Sequence, residues 1–461
     1  MHFNIVSNLG VTVKDSGFSI DELVVRMQEL FNRKAFPELL CEILMMFDEM
    51  MKLLVMRKCP IPFSCGCGGD SFVLDGTRAR KIRTPIGTVE IPALMRVKCP
   101  YCGRTHVPLL EICGIEAYQT KTDGLEKLIL EKCAQTSYRR VEKDVSNSMC
   151  VNADHSTFHR WMLRTDADEI KIPEDAIASI PGVEEPRPVQ LFADGTKCKS
   201  VGDDGPKGHG PAKKGDIKVL LGIRESGTVF PVGTWAGHET WMEIGDELER
   251  RKVKFPEGSV LICDGESEIS EQLARIVNGT TQRCQWHTAR DLYFEMWQDG
   301  GNRDKCKPFQ DRLKKIMAIE LPEEDFEKVS EDDKKALSDK TDLAEKQMDG
   351  LIADVRKGGY AKAAGYLERA KSALFAYVRR WLLLGIACPK ASSFIERTMR
   401  ELGRRIKKLA YNWKEAGLNK VSSILLKIFA SNEEWEKYWK ERMDLNQNVM
   451  LSFKLQKHLC R

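Results

Sequence analysis

Three β-rich segments in the middle of the chain constrain its fold more than any other feature. The segments VQLFADGT, IKVLLGIRE and TVFPVGTWA are apolar and are separated by glycines and charged turns. A helical pattern at ETWMEIGDELERR, a buried strand at SVLICDGE, a helix at ISEQLARIV and a last short strand at TQRCQWH follow. Because meandering strands are followed by alternating helix and strand, this order predicts a mixed α/β sheet.

Two strand-end aspartates are the first candidates for chemistry in this sheet. Asp194 ends the strand in FADGT and Asp264 ends the strand in ICDGE, and a glycine follows each of them. A carboxylate at a strand tip is held rigidly, and the glycine leaves room for a metal ion and a phosphate. Mg²⁺ prefers such oxygen ligands. Asp-Gly is also common in ordinary turns, and this second reading stays open at this point.

The charge is unevenly distributed along the chain, although the net charge of the 461 residues is only +4. Residues 57–106 carry nine Lys and Arg against three acids, residues 397–408 carry six against one, and residues 320–354 carry thirteen acids against five bases. Two basic patches around an acidic segment suit a protein that binds a polyanion at chosen places. Solvated helix faces are the alternative explanation of each patch.

Neither a secretory signal nor a membrane span is recognisable in the sequence. The first residues, MHFNIVSNLGVTVKDSGF, lack a basic flank followed by an apolar core. The most apolar stretch, FPELLCEILMMFDEMMKLLVM, is interrupted by four acids. We therefore expect a cytoplasmic protein without a membrane partner. Its 15 cysteines should be reduced there, so clustered cysteines indicate metal ligands.

Two cysteine pairs flank a β-like stretch that contains RTPIGTVEI. The first pair is Cys65 and Cys67 in SCGCGG, and the second is Cys99 and Cys102 in KCPYCGR. This arrangement resembles a zinc ribbon, in which four thiolates bind a structural Zn²⁺ and stabilise a small domain. The first pair departs from the usual C-x-x-C spacing, so Cys59 or His106 is an alternative for one ligand.

Helices separated by a short polar turn are predicted after the cysteine-rich segment. One helix opens at SYRR and a later one at HSTFHRWM, which is typical of a helix-turn-helix DNA-binding module. An ordinary helical hairpin is the alternative. The side chains available to contact DNA are Arg139, Arg140, Thr157, His159 and Arg160.

The segments FADGT, CDGE, QRCQWHTARDL and SSFIERTMRELGRRIKKLAYNW together resemble the mutator-type bacterial and archaeal insertion-sequence transposases with a Cys-rich amino-terminal domain. The resemblance implies a ribonuclease H-like core whose catalytic triad is Asp194, Asp264 and Glu396, with two Mg²⁺ or Mn²⁺ ions. The first two acids are 70 positions apart and the last two are 132 apart, so a large helical insertion must lie between them.

The resemblance also assigns supporting residues around the triad. The family's C-x-x-H signature falls on Cys284 and His287, followed by Arg290, and we expect it to have a structural role. Asp291 stands where many relatives carry Asn. Arg400 lies one helical turn after Glu396, so it either orients Glu396 and a phosphate or forms a surface salt bridge. Arg404 and Lys407 belong to the same basic helix and are candidate DNA contacts.

A further aromatic segment, TWAGHETW, contains Trp235, His238 and Trp241. These side chains either stack on exposed bases at a cleaved DNA end or belong to the hydrophobic core.

These features together predict a modular DNA transposase that cleaves DNA at the element ends and transfers the strand into target DNA. Its partners are element ends, target DNA and further copies of the chain in a homodimer or higher oligomer, with a cytoplasmic, nucleoid-associated location. The alternatives are a domesticated transposase that only binds DNA and a ribonuclease H-like nuclease that does not join.

The predicted regions are an N-terminal helical region at 1–58, a zinc-ribbon-like module at 59–113, a helix-turn-helix-like region at 114–170, a proline-rich linker at 171–188, the first part of the core at 189–288, an all-helical insertion at 289–389, and the catalytic Glu helix with a tail at 390–461.

Overall fold

The computed structural model describes residues 19–178, 186–201, 212–237, 240–278, 280–407 and 413–443. The chain divides into two compact units, one formed by Met1–Trp161 with Lys437–Arg461 and the other by Met162–Glu436. Within the described ranges, none of the helices combines the length and the apolar character that crossing a lipid bilayer requires.

The first unit begins with a long helical stretch. Helix α1 (Ile20–Leu30) passes through one π-helical turn (Phe31–Ala35) into α2 (Phe36–Met56), which confirms the helices predicted for residues 19–56. The apolar side of α2 joins a core with the sheet that follows. Within that core the buried carboxylate of Asp48 accepts a hydrogen bond from the backbone amide of Met95 at 2.8 Å.

The sheet of the first unit is a long hairpin with a short third strand. Strands β1 (Val73–Thr84), β2 (Gly87–Lys98) and β3 (Thr105–His106) are antiparallel in this order, as the stretch between the cysteine pairs predicts. Gly87 follows the hairpin turn with a φ of +118°, and a Cβ there would lie 2.4 Å from the backbone oxygen of Asn32. Only glycine fits this position.

Helices complete the first unit. Thr122 and Ser137 cap two of them by accepting hydrogen bonds from the backbone amides of Leu125 and Arg140. The helix starts predicted at SYRR and HSTFHRWM are confirmed. The helices are α3 (Pro108–Ile112), α4 (Asp123–Gln135), α5 (Tyr138–Met149) and α6 (His155–Arg164), of which α6 ends in the second unit.

The second unit contains the predicted mixed sheet, with strand order β6-β5-β4-β7-β8. The first three strands in sequence are antiparallel neighbours, whereas β4, β7 and β8 are parallel. Helices α7 (Trp241–Arg250) and α8 (Ser267–Leu273) cover one face, where Trp241 and Leu248 are fully buried. The strands are β4 (Gln190–Val201), β5 (Ala212–Ile223), β6 (Val229–Gly237), β7 (Val260–Cys263) and β8 (Thr281–Arg283).

Helices follow β8, as predicted for residues 289–389. The first of them begins earlier than expected: β8 contains only TQR, and Cys284 is the residue before α9, so the interpretation of TQRCQWH as one strand is wrong. The backbone amide of Gln285 donates to the oxygen of Lys390, so a tertiary contact helps to fix this helix start. The helices are α9 (Gln285–Gln298), α10 (Arg303–Met317), α11 (Glu331–Lys357), α12 (Ala361–Leu374) and α13 (Ala376–Leu384).

Helix α14 (Ser393–Ile406) contains Glu396, and residues 408–412 of the segment that begins SSFIER lie outside the described residues. It is followed by α15 (Glu415–Ala430) and α16 (Asn432–Arg442). Helix α15 buries Leu418, Val421 and Leu425. Its Asn419 side chain accepts a hydrogen bond from the backbone amide of Ala236 in β6 at 2.7 Å. Helix α15 thereby covers β6, an edge strand of the sheet. No local motif in the sequence of α15 predicts this role.

Part of the predicted proline-rich linker packs on the second unit. Ala176 is buried in the sheet core, and Asp175 forms an ion pair with Arg224 at 2.6 Å. Residues 179–185 of the linker lie outside the described residues.

Candidate active site and metal centre

The alternation of side chains along β4 decides which residues face the candidate active site. Leu191 and Ala193 belong to the core under α7 and α8, so Phe192 and Asp194 point to the opposite face. On that face the ring of Phe192 lies 5.8 Å from the ring of Phe394 in α14. Asp194 therefore projects toward the helix that carries Glu396.

Asp194 is not at a strand end, contrary to the sequence interpretation. Strand β4 continues to Val201, and Asp194 pairs with Val219 of β5. On its other side the pairing with β7 stops at Phe192 and Ile262. The Asp194 carboxylate therefore lies just beyond the point where the parallel pairing of β4 with β7 stops. The pattern of residues along one strand cannot show this position.

Asp264 directly follows β7, as predicted. Since Phe192 pairs with Ile262, Asp194 and Asp264 are each two residues beyond the last parallel pair and share one face of the sheet. The backbone amide of Glu266 donates to Asp264 Oδ1 at 3.0 Å. Gly265 has a φ of +102°, and a Cβ there would lie 2.2 Å from the guanidinium carbon of Arg283, so the residue after Asp264 must be glycine.

Glu396 lies in the first turn of α14 and faces His287 of α9. The distance between His287 Nε2 and Glu396 Oε1 is 3.9 Å. An open cleft of about 510 Å³ lies at this point, and Asp194, His287 and Glu396 contribute to its wall. The structure therefore brings residues from β4, α9 and α14 to one cleft, next to the end of β7.

The electrostatics of this region link the three acids. Burial and, next, the negative charge of Asp264 raise the pKa of Asp194 to about 6, and Glu396 adds a smaller contribution in the same direction. His287 opposes this effect, so the cleft carries negative charge that its neighbours offset only in part. Among the described residues, the oxygens of the three carboxylates do not all lie within 4.8 Å of one another.

Cys284 and His287 hold the start of α14. The backbone amide of Ser392 donates to Cys284 Sγ at 3.3 Å, and the Ser392 hydroxyl lies 3.2 Å from His287 Nδ1. Burial opposes ionisation of Cys284, but hydrogen bonds with His287 and Ser392 lower its pKa. Ser392 is four residues before Glu396, so these contacts fix the position of the Glu396 carboxylate. No sequence motif predicts the contacts of Ser392 with Cys284 and His287.

The basic side chains beside the cleft behave differently from one another. Arg290 forms an ion pair with Asp291 at 2.6 Å, and its guanidinium lies 5.1 Å from the centre of the Trp286 ring. Arg400 lines the cleft and, among the residues described, has no ion-pair partner, so the surface salt bridge that was one of its two alternatives is not seen. In the same helix Arg404 pairs with Glu401 at 3.3 Å. Lys407 is exposed at the helix end.

The four predicted zinc ligands form a compact cluster in the first unit. All four sulfurs lie within 4.8 Å of one another. The distance from Cys65 to Cys102 is 3.5 Å and that from Cys67 to Cys99 is 3.6 Å. A tetrahedral site with Zn–S bonds of about 2.3 Å places its sulfurs about 3.8 Å apart. The cluster therefore has the ligand number and the spacing for a metal ion such as zinc.

The two alternative ligands have other partners. The Cys59 thiol contacts the backbone oxygen of Arg57 at 3.7 Å. His106 lies beside the cluster, with Nε2 at 3.3 Å from Cys65 Sγ, while its Nδ1 contacts Glu111 at 3.1 Å. The backbone amide of Arg104 and the thiol of Cys65 lower the pKa of Cys102 to about 7, which favours the thiolate form that binds metals.

The predicted DNA-contacting side chains lie on α5 and α6. Arg139, Arg140 and Arg160 are exposed. Arg140 pairs with Asp144, Arg160 donates to the Thr157 hydroxyl at 3.0 Å, and the His159 ring contacts the Tyr138 ring edge-to-face at 5.3 Å. The arginines are therefore the accessible part of this set.

The sequence left open whether Trp235, His238 and Trp241 of TWAGHETW stack on bases or pack in the core. The structure answers this for two of the three. Trp235 and Trp241 are buried in the sheet core. His238 lies outside the described residues. Exposed aromatic rings occur instead on α9, where Trp286 is 54% and Phe294 is 50% exposed. Sequence reasoning missed them, although Trp286 is itself part of the C-x-x-H signature and Phe294 is on the same helix.

Comparisons with known proteins add little to this geometry. No protein-family model matches the chain, and no curated protein matches it. Among solved structures, the chain is similar to the Drosophila P element transposase strand transfer complex, with 12% sequence identity, a TM-score of 0.27, and coverage of 74% of this chain and 86% of that chain. A likeness this distant supports no conclusion about this chain.

Proposed function

We propose that this protein is a DNA transposase that cleaves DNA at element ends and joins the freed end to target DNA. The observation that carries the proposal is a cleft lined by Asp194 and Glu396 beside a basic helix, with Asp264 near enough for its charge to act on Asp194. The three acids are 70 and 132 positions apart in sequence, so their meeting depends on the fold rather than on local composition.

The sheet topology supports a ribonuclease H-like core. An antiparallel meander of β4, β5 and β6 followed by parallel β7 and β8 is the arrangement expected from the sequence. Asp194 and Asp264 are on neighbouring strands, and the helices α9 to α13 separate them from Glu396, in the position proposed for the all-helical insertion. The motif resemblance to mutator-type insertion-sequence transposases favours the same assignment.

The donor set fits a hard divalent cation. Asp194 on β4, Asp264 directly after β7 and Glu396 on α14 supply carboxylate oxygens, and burial together with the negative charges of Asp264 and Glu396 raises the pKa of Asp194. A cation between them would offset this repulsion, and Mg²⁺ or Mn²⁺ prefers these ligands. We propose that these three residues hold the ions. When bound, such ions activate the attacking oxygen and stabilise the leaving oxygen.

The remaining residues of the cleft position the DNA. Arg400, which has no ion-pair partner in the described ranges, is placed to bind a phosphate beside the acids, and Arg290 is a second donor at the same cleft. Cys284 and His287 fix the start of the Glu396 helix through Ser392. In cleavage, water attacks phosphorus and the P–O3′ bond breaks. The freed 3′-hydroxyl then attacks a phosphorus of the target strand, and the P–O3′ bond of the target breaks to release a target 3′-hydroxyl. The protein contributes mainly orientation and charge neutralisation.

DNA recognition is assigned to the first unit and to the basic helix α14. We propose that Zn²⁺ binds Cys65, Cys67, Cys99 and Cys102 and stabilises the hairpin module. Arg139, Arg140 and Arg160 contact the element ends, with Thr157 and His159 in supporting contacts, while Arg404 and Lys407 bind DNA near the cleft. Since two element ends must be paired, the protein acts as a dimer or higher oligomer.

The test uses the DNA that flanks the coding region, because paired inverted repeats there define the substrate. Purified protein with Mg²⁺ is mixed with an end duplex and a target plasmid, and binding, nicking and joining are measured on the same preparation. We expect all three activities, and we expect Arg160→Ala to weaken end binding. Binding without nicking supports a domesticated DNA-binding protein instead. Nicking without joining supports a ribonuclease H-like nuclease.

A further inference from the structure

A groove in the second unit runs along α9 and α10 and has a volume of about 870 Å³. Trp286 and Arg290 line both this groove and the cleft of the candidate active site. The groove is therefore a continuation of that cleft, and a polymer chain bound at the carboxylates can extend into it.

One wall of the groove is aromatic. Trp286, Tyr293 and Phe294 are on the groove side of α9, at a spacing of seven and eight residues that places them on one helix face. Trp286 and Phe294 are both at least half exposed. Flat exposed rings offer surfaces on which unpaired bases can stack, whereas in duplex DNA the base faces are covered by their neighbours.

The other wall is basic. Arg303, Lys307 and Lys314 of α10 line the groove, are exposed, and have no hydrogen-bond or ion-pair partner within the described ranges. Of the two acids in the lining, Glu320 already pairs with Lys390 at 2.5 Å, so Asp311 is the one acid left to oppose these cations. Free cations facing aromatic rings across a groove match the phosphates and the bases of one strand.

We propose that this groove binds an unpaired segment of a DNA strand that leads away from the carboxylate cleft. The inference rests on the function proposed above and adds the form of DNA that the site accepts. Trp286 stacks on the base nearest the cleft, Phe294 contacts a base further along, and the α10 cations neutralise the phosphates. Enzymes that act on a single strand commonly unstack bases in this way.

The test compares two tryptophans of the same helix. A fluorescein-labelled oligothymidylate of about 12 nucleotides is titrated with the full chain by anisotropy, without added Mg²⁺, in parallel with a duplex of equal length. Trp286→Ala should weaken single-strand binding about 5-fold or more, since stacking on one ring contributes at that level. Trp297→Ala should leave it unchanged, because Trp297 is 63% exposed on α9 but outside the groove.

A second pair of variants tests the basic wall. Lys314→Gln should weaken binding of the oligothymidylate and reduce its salt dependence, whereas Lys315→Gln, the exposed neighbour outside the groove, should change neither. Phe294→Ala repeats the aromatic test at a half-exposed position where truncation disturbs little packing. Circular dichroism confirms that each variant is folded.

The proposal is overturned if Trp286→Ala and Trp297→Ala bind the oligothymidylate equally, or if the duplex binds as tightly as the single strand and loses affinity in parallel. Asp264→Asn separates this result from the proposed function. That variant should bind the oligothymidylate as the unchanged protein does, while losing Mg²⁺-dependent cleavage. Cleavage that survives in Asp264→Asn contradicts the triad and leaves the groove measurement intact.

Discussion

The tetracysteine cluster and the carboxylate cleft are two candidate metal sites that the chain assembles in opposite ways. The cysteines come from residues 65–102 of one hairpin module, and their sulfurs already lie within 4.8 Å of one another. The carboxylates come from residues 194, 264 and 396, and among the described residues their oxygens do not all lie within 4.8 Å of one another. Three ionised carboxylates repel one another until a cation is present.

This difference concerns what each site does for the protein. A cluster closed by four ligands leaves no position for a substrate, which is the property of a structural site. An open, charged cleft flanked by arginines leaves room for phosphate oxygens. Removing a ligand should therefore destabilise the first unit in one case and leave the second unit folded but inactive in the other.

The largest effect is expected for Cys99→Ser. Loss of one thiolate should reduce the zinc content from about one ion per chain to nearly none, and the hairpin module should unfold, because zinc binding supplies folding free energy on the order of 10 kcal/mol in small metal domains. Metal analysis under reducing conditions and thermal unfolding measure both effects. Cys59→Ser is the matched control, since Cys59 is exposed and outside the cluster. Zinc loss from the control instead would reassign the ligand.

A moderate effect is expected for Asp194→Asn in the metal-free protein. The pKa of Asp194 is about 6 in the folded chain and about 4 in the unfolded chain. Ionisation therefore favours the unfolded state, and stability should fall as the pH rises from about 4 to about 6. Asparagine cannot ionise, so the variant should be more stable than the unchanged protein above pH 6, by about 3 kcal/mol.

Denaturant unfolding at pH 4.5 and pH 7.5 checks this result, with the signal followed in the second unit. Added Mg²⁺ should remove the difference at the higher pH, because the cation stabilises the ionised carboxylate. An equal pH dependence of the two proteins contradicts the proposed electrostatic coupling between Asp194 and its neighbours.

The smallest effect is expected for Cys284→Ala. The change removes the acceptor of the Ser392 amide and loosens the start of α14, while all three carboxylates remain. The Mg²⁺ concentration needed for half-maximal cleavage should rise about 10-fold, as is usual when a group that orients a metal ligand is lost. Cys388→Ala removes another buried thiol of the same unit and serves as the control. Equal Mg²⁺ requirements in both variants argue against a positioning role for Cys284.

How far each site can be predicted from the sequence depends on whether its residues are close together along the chain. The cysteine pairs and the intervening hairpin are local, so their spacing predicts the cluster. The mixed sheet was also predictable, since β4 to β7 each contain apolar residues, whereas β8 is the polar tripeptide TQR. By contrast, the position of Asp194 within β4 depends on where pairing with β7 stops, and this is a property of two strands together.

The remaining differences have the same origin. The start of α9 at Gln285 is held by a contact to Lys390 more than 100 residues away, which no window of the sequence contains. Helix α15 has no motif, and its role at the edge of β6 rests on the Asn419 contact. The sequence did not distinguish the exposed Trp286 from the buried Trp235 either, because burial depends on packing against residues that are distant in the chain.

The central claim is that the three carboxylates form one metal-dependent site for cutting and joining DNA. The most direct measurement compares Glu396→Gln with Glu401→Gln in Mg²⁺-dependent cleavage and strand transfer, with end binding by gel shift on the same preparations. Both residues are on α14, but Glu396 lines the cleft and Glu401 pairs with Arg404 outside it. Glu396→Gln should abolish cleavage and joining with binding retained, and Glu401→Gln should keep all three. Joining by Glu396→Gln at the unchanged rate would contradict the account.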